Sequence, residues 1–449
     1  MKQALSLLVL NYLRILARIQ LLKNKPTIVG ITGSAGKTSA RNAIAAILQE
    51  PYKIKVSYRA NSESGLPINI LGMDLNSYSW ISWAKVILLA PIKLFTYWPN
   101  HKIYIAEMAI DSPFPPKNMS YLLSIFKPDV GVFLNAQPMH SFNFDQLVTT
   151  TDPKERRVEV SKLIANEKGK MIVGLPKDGV AILNTDDENV YKFKDLTKAK
   201  TISFGKQGQA EIKIKKTVQS LKGTNFILEI AGEEIQLKFE KFILPENYAY
   251  TFSSAIACAK YFEIKAKQAA NLLVENFKLP PGRSSLIKGI NNSYILDSSY
   301  NSSAAALKDL LALLNTLAKN KKIALLGDMR ELGEETQMEH ETAAEQIIKT
   351  CDLVVLVGPA MKKYVLPILE KSKIEVHWFV TADLAVEFLK TRLKENDLLL
   401  VKGSQNELFL EIAVEQLMAE PEKANELLCR RGEYWDKKRS EWLEKNNQL

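Results

Sequence analysis

The sequence is poor in the residues that build metal clusters and covalent staples. It has 3 cysteines, Cys258, Cys351 and Cys429, far apart and odd in number, and 4 histidines. With no C-x-x-C pair, a zinc ribbon or a dithiol redox centre is excluded, and free thiols in a reducing cytoplasm are the plain expectation. Four histidines do not supply a multi-histidine metal cage. Long apolar runs are also missing. The stretch Ala4–Leu13 stops at Arg14, well short of the ~20 residues of a transmembrane helix. Lys2 ahead of it imitates a secretory leader, but Arg14 and Arg18 stand where a small-residue cleavage site belongs. There are no repeats, no low-complexity tracts, and no helix-turn-helix, RNA-recognition or zinc motif. The net charge of +10 is therefore assigned to phosphate and envelope anions rather than to nucleic acid.

What is present is a globular composition over 449 residues, 46% hydrophobic and 24% charged, enough for two or three domains. The expected class is α/β. Residues 4–22 read as one lipophilic amphipathic helix with Gln3, Asn11, Arg14 and Arg18 on a narrow polar stripe, so residues 1–25 form an N-terminal element. Residues 26–281 read as a P-loop central domain with a mostly parallel sheet. Within it, 208–244 alternates as an antiparallel meander and a helix follows at about 248–262. Pro280-Pro281-Gly282 marks a boundary, 282–420 reads as a Rossmann-like domain, and 421–449 as a charged helical tail. A second lipophilic stretch, 77–98, is flanked by aromatics and contains Lys85 and Lys93. It reads either as a core helix or as an interfacial helix with snorkelling lysines.

The strongest local signal is Thr32-Gly33-Ser34-Ala35-Gly36-Lys37-Thr38-Ser39, after an apolar strand and before a helical pattern. Glycines let backbone N–H groups turn toward phosphate oxygens, and the helix N-terminus adds its positive end. Lys37 would reach the β- and γ-phosphates and the Thr38 hydroxyl would face Mg²⁺. Glu107 ends the apolar strand 102–106, where α/β sheets bind ligands. Taken alone, Glu107 reads equally as a surface carboxylate, His140 more readily as a structural histidine, and Lys168 as a solvated charge.

These elements stand in one order with N-S-E-S-G-L-P-I-N-I-L at 61–71, E-M-A-I-D at 107–111 and K-P-D-V-G-V-F-L-N at 127–135. G-L-P-K-D-G-V-A-I-L-N-T-D-D at 174–187, P-P-G-R-S at 280–284, D-S-S-Y-N at 297–301, L-G-D-M-R-E-L-G at 326–333 and V-K-G-S at 401–404 complete the series. Together they resemble the Mur ligase family, ATP-dependent amide-forming ligases of bacterial cell-wall precursor synthesis. L-G-D-M-R-E-L-G points to the branch whose amine is D-alanyl-D-alanine.

The resemblance implies roles. Gly33, Ser34, Ala35, Gly36, Lys37, Thr38 and Ser39 would cradle ATP. Thr38, Glu107, His140 and Lys168 would hold two Mg²⁺ ions, Lys168 as a carbamate. Asn247 would contact adenine, Arg283 and Asp297 would close over the nucleotide, and Lys402 and Ser404 would lie on the amine side. The carboxyl donor would be a peptidoglycan-precursor peptide and the amine an amino acid or dipeptide. A monomer in the cytoplasm, at the inner membrane face if 4–22 and 77–98 contact lipid, is the corresponding expectation.

The sequence differs from the family pattern at E-K-G-K around Lys168, at Glu246 and Tyr250 either side of Asn247, and at Gln405 after K-G-S. It also has about thirty residues ahead of the P-loop where family members carry a UDP-sugar domain. Three other readings stay open: a related ligase with a lipid-linked or other non-UDP substrate, a non-catalytic P-loop switch, and a folate-polyglutamate ligase.

Overall fold

The computed structural model describes the chain apart from Met1, Arg59, 76–78, 138–141, Thr151, 241–242, Glu331, 333–334, 405–407 and 447–449. It contains two compact units. The first comprises 1–216, 226–237 and 248–277; the second comprises 217–225, 238–247 and 278–449.

The first unit is organised by β1 (Thr27–Thr32), whose residues are buried almost throughout. A run buried on both faces suits the middle of a parallel sheet. It is followed by β2 (Ile54–Val56), β3 (Ile103–Glu107), β4 (Val130–Phe133), β5 (Val180–Asn184) and β6 (Lys200–Gly205). After these come β7 (Ile212–Ser220), β8 (Gly223–Ile230) and β9 (Glu233–Phe239). The nine strands are ordered β2-β3-β1-β4-β5-β6-β7-β8-β9, with β2 through β6 parallel. The chain leaves β1 for one side of the sheet and later returns to the other. This reversal puts a crevice at the carboxyl end of β1, between β3 and β4, where ligands of such sheets bind. The alternating segment expected over 208–244 is the β7–β9 meander. Its β8–β9 turn runs through Ala231 and Gly232, both at positive φ (52° and 82°), the backbone of a tight hairpin.

Helix α1 (Lys2–Asn24) packs inside the first unit beside α2 (Lys37–Leu48)'s parent sheet, and contacts both α3 (Gly65–Ile70) and α4 (Trp80–Thr96). Leu13 meets Ile68, Leu71, Val86 and Ala90 in a small buried cluster. Pro91 lies inside α4. A proline has no N–H, so the carbonyl four residues back loses its helical partner. That carbonyl is Ile87 O, and the Tyr12 hydroxyl of α1 donates to it at 3.2 Å. Gln20 Nε2 donates to Tyr97 O at 3.0 Å, and Lys23 Nζ donates to Leu94 O. The Tyr12 contact lies near the middle of both helices and the Gln20 and Lys23 contacts near the C-terminal end of both, so α1 and α4 run parallel.

The second unit carries a six-stranded sheet ordered β10-β11-β15-β12-β13-β14. Its strands are β10 (Ser285–Lys288), β11 (Tyr294–Ser298), β12 (Lys322–Gly327), β13 (Leu353–Val357), β14 (Glu375–Phe379) and β15 (Leu398–Lys402). β10 is antiparallel to β11 and the rest are parallel, which gives the Rossmann-like arrangement expected after residue 282. Residues beyond 420 group with this unit. Within them Arg430 is buried and forms a two-pronged ion pair with Glu411, Nε to Oε1 and Nη2 to Oε2, both 2.7 Å. Its remaining donors reach Ser299 O at 2.8 Å and Tyr300 O at 3.0 Å. The segment 421–449 thus supplies a clamp on the loop that follows β11.

Removing one charge of such a pair leaves the other buried and uncompensated, at a cost of about 3–5 kcal/mol. Glu411→Gln is expected to lower the unfolding free energy by that amount, read from urea titrations followed by circular dichroism. An unchanged midpoint and slope would contradict the clamp.

Candidate functional site: a phosphate loop and its carboxylate

The loop 33–36 joins β1 to α2 at the crevice. Gly36 sits at φ 82°, a backbone that L side chains rarely adopt, and it opens α2 with no side-chain cap. The first-turn amides of a helix have no intrahelical acceptor, so the N–H groups at the start of α2 are available to an anion.

The loop is held by a residue that sequence reasoning placed only at a strand end. Asn135 follows β4, and its Oδ1 accepts from Ser34 N (3.0 Å) and Ala35 N (2.9 Å) while Nδ2 donates to Ala35 O (3.2 Å). Ser34 Oγ donates to Gln137 O at 2.6 Å and accepts from Gln137 N at 2.9 Å. The Asn135 segment is itself braced by N-T-D-D: Asn184 Nδ2 donates to Leu134 O (2.9 Å) and Asp187 Oδ2 accepts from Ala136 N (2.7 Å). The Ser34 and Ala35 amides are therefore engaged by Asn135. The amides that remain to face phosphate are those entering α2.

Lys37 curls over the loop, donating from Nζ to Gly33 O (2.8 Å) and Ser34 O (3.1 Å). Burial lowers its pKa, and Glu107 and Asp111 oppose that shift. Thr38 Oγ1 donates to Glu107 Oε2 at 2.9 Å. Glu107 is buried at 4% exposure and closes β3, the neighbour of β1. Arg41 Nη1 approaches the same Oε2 at 3.5 Å and donates to Ser57 O at 3.1 Å. Asn61 Nδ2 reaches Oε1 at 3.4 Å, and the Glu107 amide donates to Ser57 Oγ at 2.9 Å. A buried carboxylate ringed by donors in this way is fixed in place. Ser39 follows in the first turn of α2.

The fit to Mg²⁺ can be judged from the Thr38–Glu107 pair. The two oxygens share a hydrogen bond of 2.9 Å, close enough together for one small ion to take both. Both are hard oxygen donors at the end of a phosphate loop, so these residues fit Mg²⁺ with a nucleotide.

Lys168 lies in the helix Pro153–Val173 and is buried at 4% exposure. Burial and the neighbouring Lys37 charge bring its pKa down to about 7, against the pull of Asp111. The reading of Lys168 as a solvated charge is thus corrected: its side chain lies in the interior of the first unit. His140 falls outside the described residues.

In the second unit, residues at the carboxyl ends of β11 and β15 meet. Asp297 is fully buried, accepts from Ser299 N at 3.0 Å, and has its Oδ2 unpartnered among the described residues. Burial raises its pKa to about 6. Lys402 is lowered to about 7, first by burial and then by Arg283, with Asp297 and Asp309 opposing; its Nζ donates to Asn301 O at 2.8 Å. Arg283 stacks over Tyr300 at 4.5 Å. Asn247 donates to Asp309 Oδ2 at 2.8 Å. Ser404 Oγ accepts from Arg330 N at 2.9 Å, and Ser404 N donates to Asp328 O at 3.0 Å. Asp328 in turn accepts from the Ala360 and Met361 amides at 3.2 and 2.8 Å.

A phosphate loop whose first-turn hydroxyl is bonded to a buried carboxylate is the equipment of a nucleotide-binding enzyme. Residues 31–259 match the Mur ligase middle domain and residues 282–405 match the Mur ligase glutamate ligase domain. The chain belongs to the Mur ligase family and is an ATP-dependent amide-forming ligase. It is similar to the UDP-N-acetylmuramoyl-tripeptide–D-alanyl-D-alanine ligase of Rickettsia prowazekii, 26% identical over 89% of this chain and 80% of that protein. The Bacillus subtilis ligase of the same name is also 26% identical, over 92% and 80%. Among solved structures, MurF ligase from Thermotoga maritima in complex with ADP has TM-score 0.70 at 23% identity, covering 92% of this chain and 84% of that one. MurF from Acinetobacter baumannii has TM-score 0.70 at 19% identity, covering 90% and 80%.

Asn135→Ala would free the Ser34 and Ala35 amides and let the loop relax. The expected result is at least a tenfold weaker affinity for MgADP by titration calorimetry, with the melting temperature changed by a few degrees at most.

Proposed function

We propose that the protein joins an amine, D-alanyl-D-alanine or a similar amino acid or dipeptide, to the carboxylate of a peptidoglycan-precursor peptide. The observation that carries the chemistry is the convergence of Lys37, Thr38 and Glu107 at the carboxyl end of β1. The choice of substrates is supported by the names of the relatives that match nearly the whole chain.

Amide formation from a carboxylate is uphill in water, so the carboxylate must first be activated. Transfer of the ATP γ-phosphoryl group gives an acyl phosphate and ADP; attack by the amine then expels phosphate. No protein nucleophile is needed, only positioning and charge stabilisation. The α2 amides bind phosphate oxygens. Lys37, released from the Gly33 and Ser34 carbonyls, places its charge on the transferred group. Thr38 and Glu107 would hold Mg²⁺, which when bound neutralises phosphate charge. Arg41 and Asn61 keep the Glu107 carboxylate turned toward Thr38. Arg283, Asp297 and Asn247 are assigned to the nucleotide, and Lys402 and Ser404 to the amine side. A monomer in the cytoplasm remains part of this reading.

A second Mg²⁺ would be held by His140 and a carbamylated Lys168. The neutral amine adds to CO₂ and loses a proton, so a cation becomes a carboxylate-like ligand. With a pKa of about 7, the reactive neutral form is a minority below pH 7 and dominates above it, so carbamylation should increase as pH rises through that value. Carbon-13 NMR of protein equilibrated with labelled CO₂ is expected to show one carbamate signal, stronger at pH 8 than at pH 6 and missing in Lys168→Ala. That variant should also lose nearly all turnover. A fully active Lys168→Ala enzyme would remove the residue from the mechanism.

A second reading keeps the reaction and changes the donor's carrier to a lipid. It is favoured by the exposed apolar residues of α1 and α4. One screen distinguishes the two: phosphate release with UDP-linked and lipid-linked precursors, each crossed with D-alanyl-D-alanine and single amino acids. Release is expected only when donor and amine are both present, and Lys37→Ala should reduce it at least a thousandfold. Hydrolysis indifferent to every pair would contradict ligase function.

A further inference from the structure

Helix α4 presents an unusual outer face. Ile81, Leu88, Ile92 and Phe95 recur at spacings of seven, four and three, so they share one side of the helix. All four are exposed, Leu88 at 70% and Phe95 at 75%. The opposite side, Val86, Ala90 and Leu94, is buried. The stripe is therefore not core surface awaiting a neighbour within the unit. Trp80 and Trp98 bracket it at 79% and 71% exposure.

Its neighbour α1 repeats the pattern. Leu8, Ile15, Ile19 and Leu22 are exposed, while Leu10, Leu13 and Ala17 are buried. The two helices run parallel and are fixed in register by Tyr12 on Ile87 O and Gln20 on Tyr97 O, so the stripes travel together. Isolated exposed hydrophobics are ordinary; runs along two packed helices mark an interaction surface.

Charge selects the partner. Neither helix contains an aspartate or glutamate, whereas α1 carries Arg18 and α4 carries Lys85 and Lys93; Arg14 and Lys23 turn inward, onto Ser124 Oγ and Leu94 O. A protein partner covering such a face would need acids at its rim and apolar groups at its centre. An anionic bilayer offers both continuously: phosphate headgroups for the cations, acyl chains for the stripe, and an interfacial zone where tryptophan settles. No helix among the described residues is long and apolar enough to cross a membrane, which fits helices lying in the interface plane.

We infer that the α1–α4 face docks the protein on an anionic lipid surface, with the Leu88–Ile92–Phe95 stripe inserted among the acyl chains. The inference rests on these two helices and is independent of which precursor the ligase uses.

The test uses the full-length protein and vesicles of phosphatidylcholine alone or with 30 mol% phosphatidylglycerol, at low and high salt. Sedimentation is expected with the anionic vesicles and at least tenfold less with the neutral ones or at high salt, with a blue shift in tryptophan emission on binding. Leu88→Gln/Ile92→Gln/Phe95→Gln should reduce vesicle binding at least tenfold while keeping the melting curve and turnover on soluble substrates. Lys85→Glu, which leaves the stripe intact, should weaken binding to the anionic vesicles only. No binding by the wild type, or equal binding by the triple variant, would overturn the inference. So would concentration-dependent dimerisation that the triple variant abolishes in the absence of vesicle binding, since the face would then belong to a second copy. Loss of ligase activity with vesicle binding intact would count against the proposed function and leave the lipid face standing.

Discussion

The clamp of Asn135 on the phosphate loop is the contact on which the first unit's chemistry depends. A loop meant to receive phosphate must keep several amides free, yet free amides and a glycine turn give it little reason to hold one shape. The Asn135 side chain resolves the conflict by engaging two loop amides and one carbonyl, so that the amides entering α2 stay open in a loop already fixed. The clamp reaches further than it first shows. Asn135 is aimed by Asn184 and Asp187 from the end of β5, so three neighbouring strands share in positioning a four-residue turn. Such preorganisation lowers the reorganisation needed when phosphate arrives.

Burial of like charge gives both units a common electrostatic character. Lys37 is close enough to disfavour the charge of Lys168 in the first unit, and Arg283 does the same to Lys402 in the second. In the absence of anions these groups are held at a cost, and an incoming phosphate or carboxylate relieves it. The same arrangement that depresses the lysines therefore favours polyanionic substrates. Glu107 and Asp297 are the opposing acids, but they differ. Glu107 is surrounded by donors, while one oxygen of Asp297 has none among the described residues.

The sequence made the backbone of this picture legible and left much of the side-chain support hidden. Gly33–Ser39 announce themselves because a phosphate loop needs glycines, a lysine and a hydroxyl at fixed offsets. Glu107 could be found because it ends an apolar strand. Both βα units and the meander follow from periodicity and turn residues. Asn135, Asn61 and Ser57 were not assigned roles, since a single amide or hydroxyl after a strand has no pattern until the strand order is known. Lys168 looked like a surface charge because burial by distant segments leaves no local trace. Arg430 was hidden for the same reason inside a segment whose composition reads as solvated. The 77–98 stretch was ambiguous because a helix apolar on nearly every side satisfies a core and a lipid surface equally, and the sequence does not say which of its residues the fold leaves exposed.

The polar bond that Pro91 makes room for has a consequence for how the lipophilic helices can change. Oily side chains packed on oily side chains have no preferred alignment, and one helix could slip along the other by a turn with little loss of burial. The Tyr12 hydroxyl on the vacated Ile87 carbonyl acts as a tooth in a rack, and Gln20 on Tyr97 as a second. Alignment is set by these notches rather than by the grease. The outer residues are thereby freed from any structural duty, and substitutions among them can tune how oily the face is without shifting the helices that carry it.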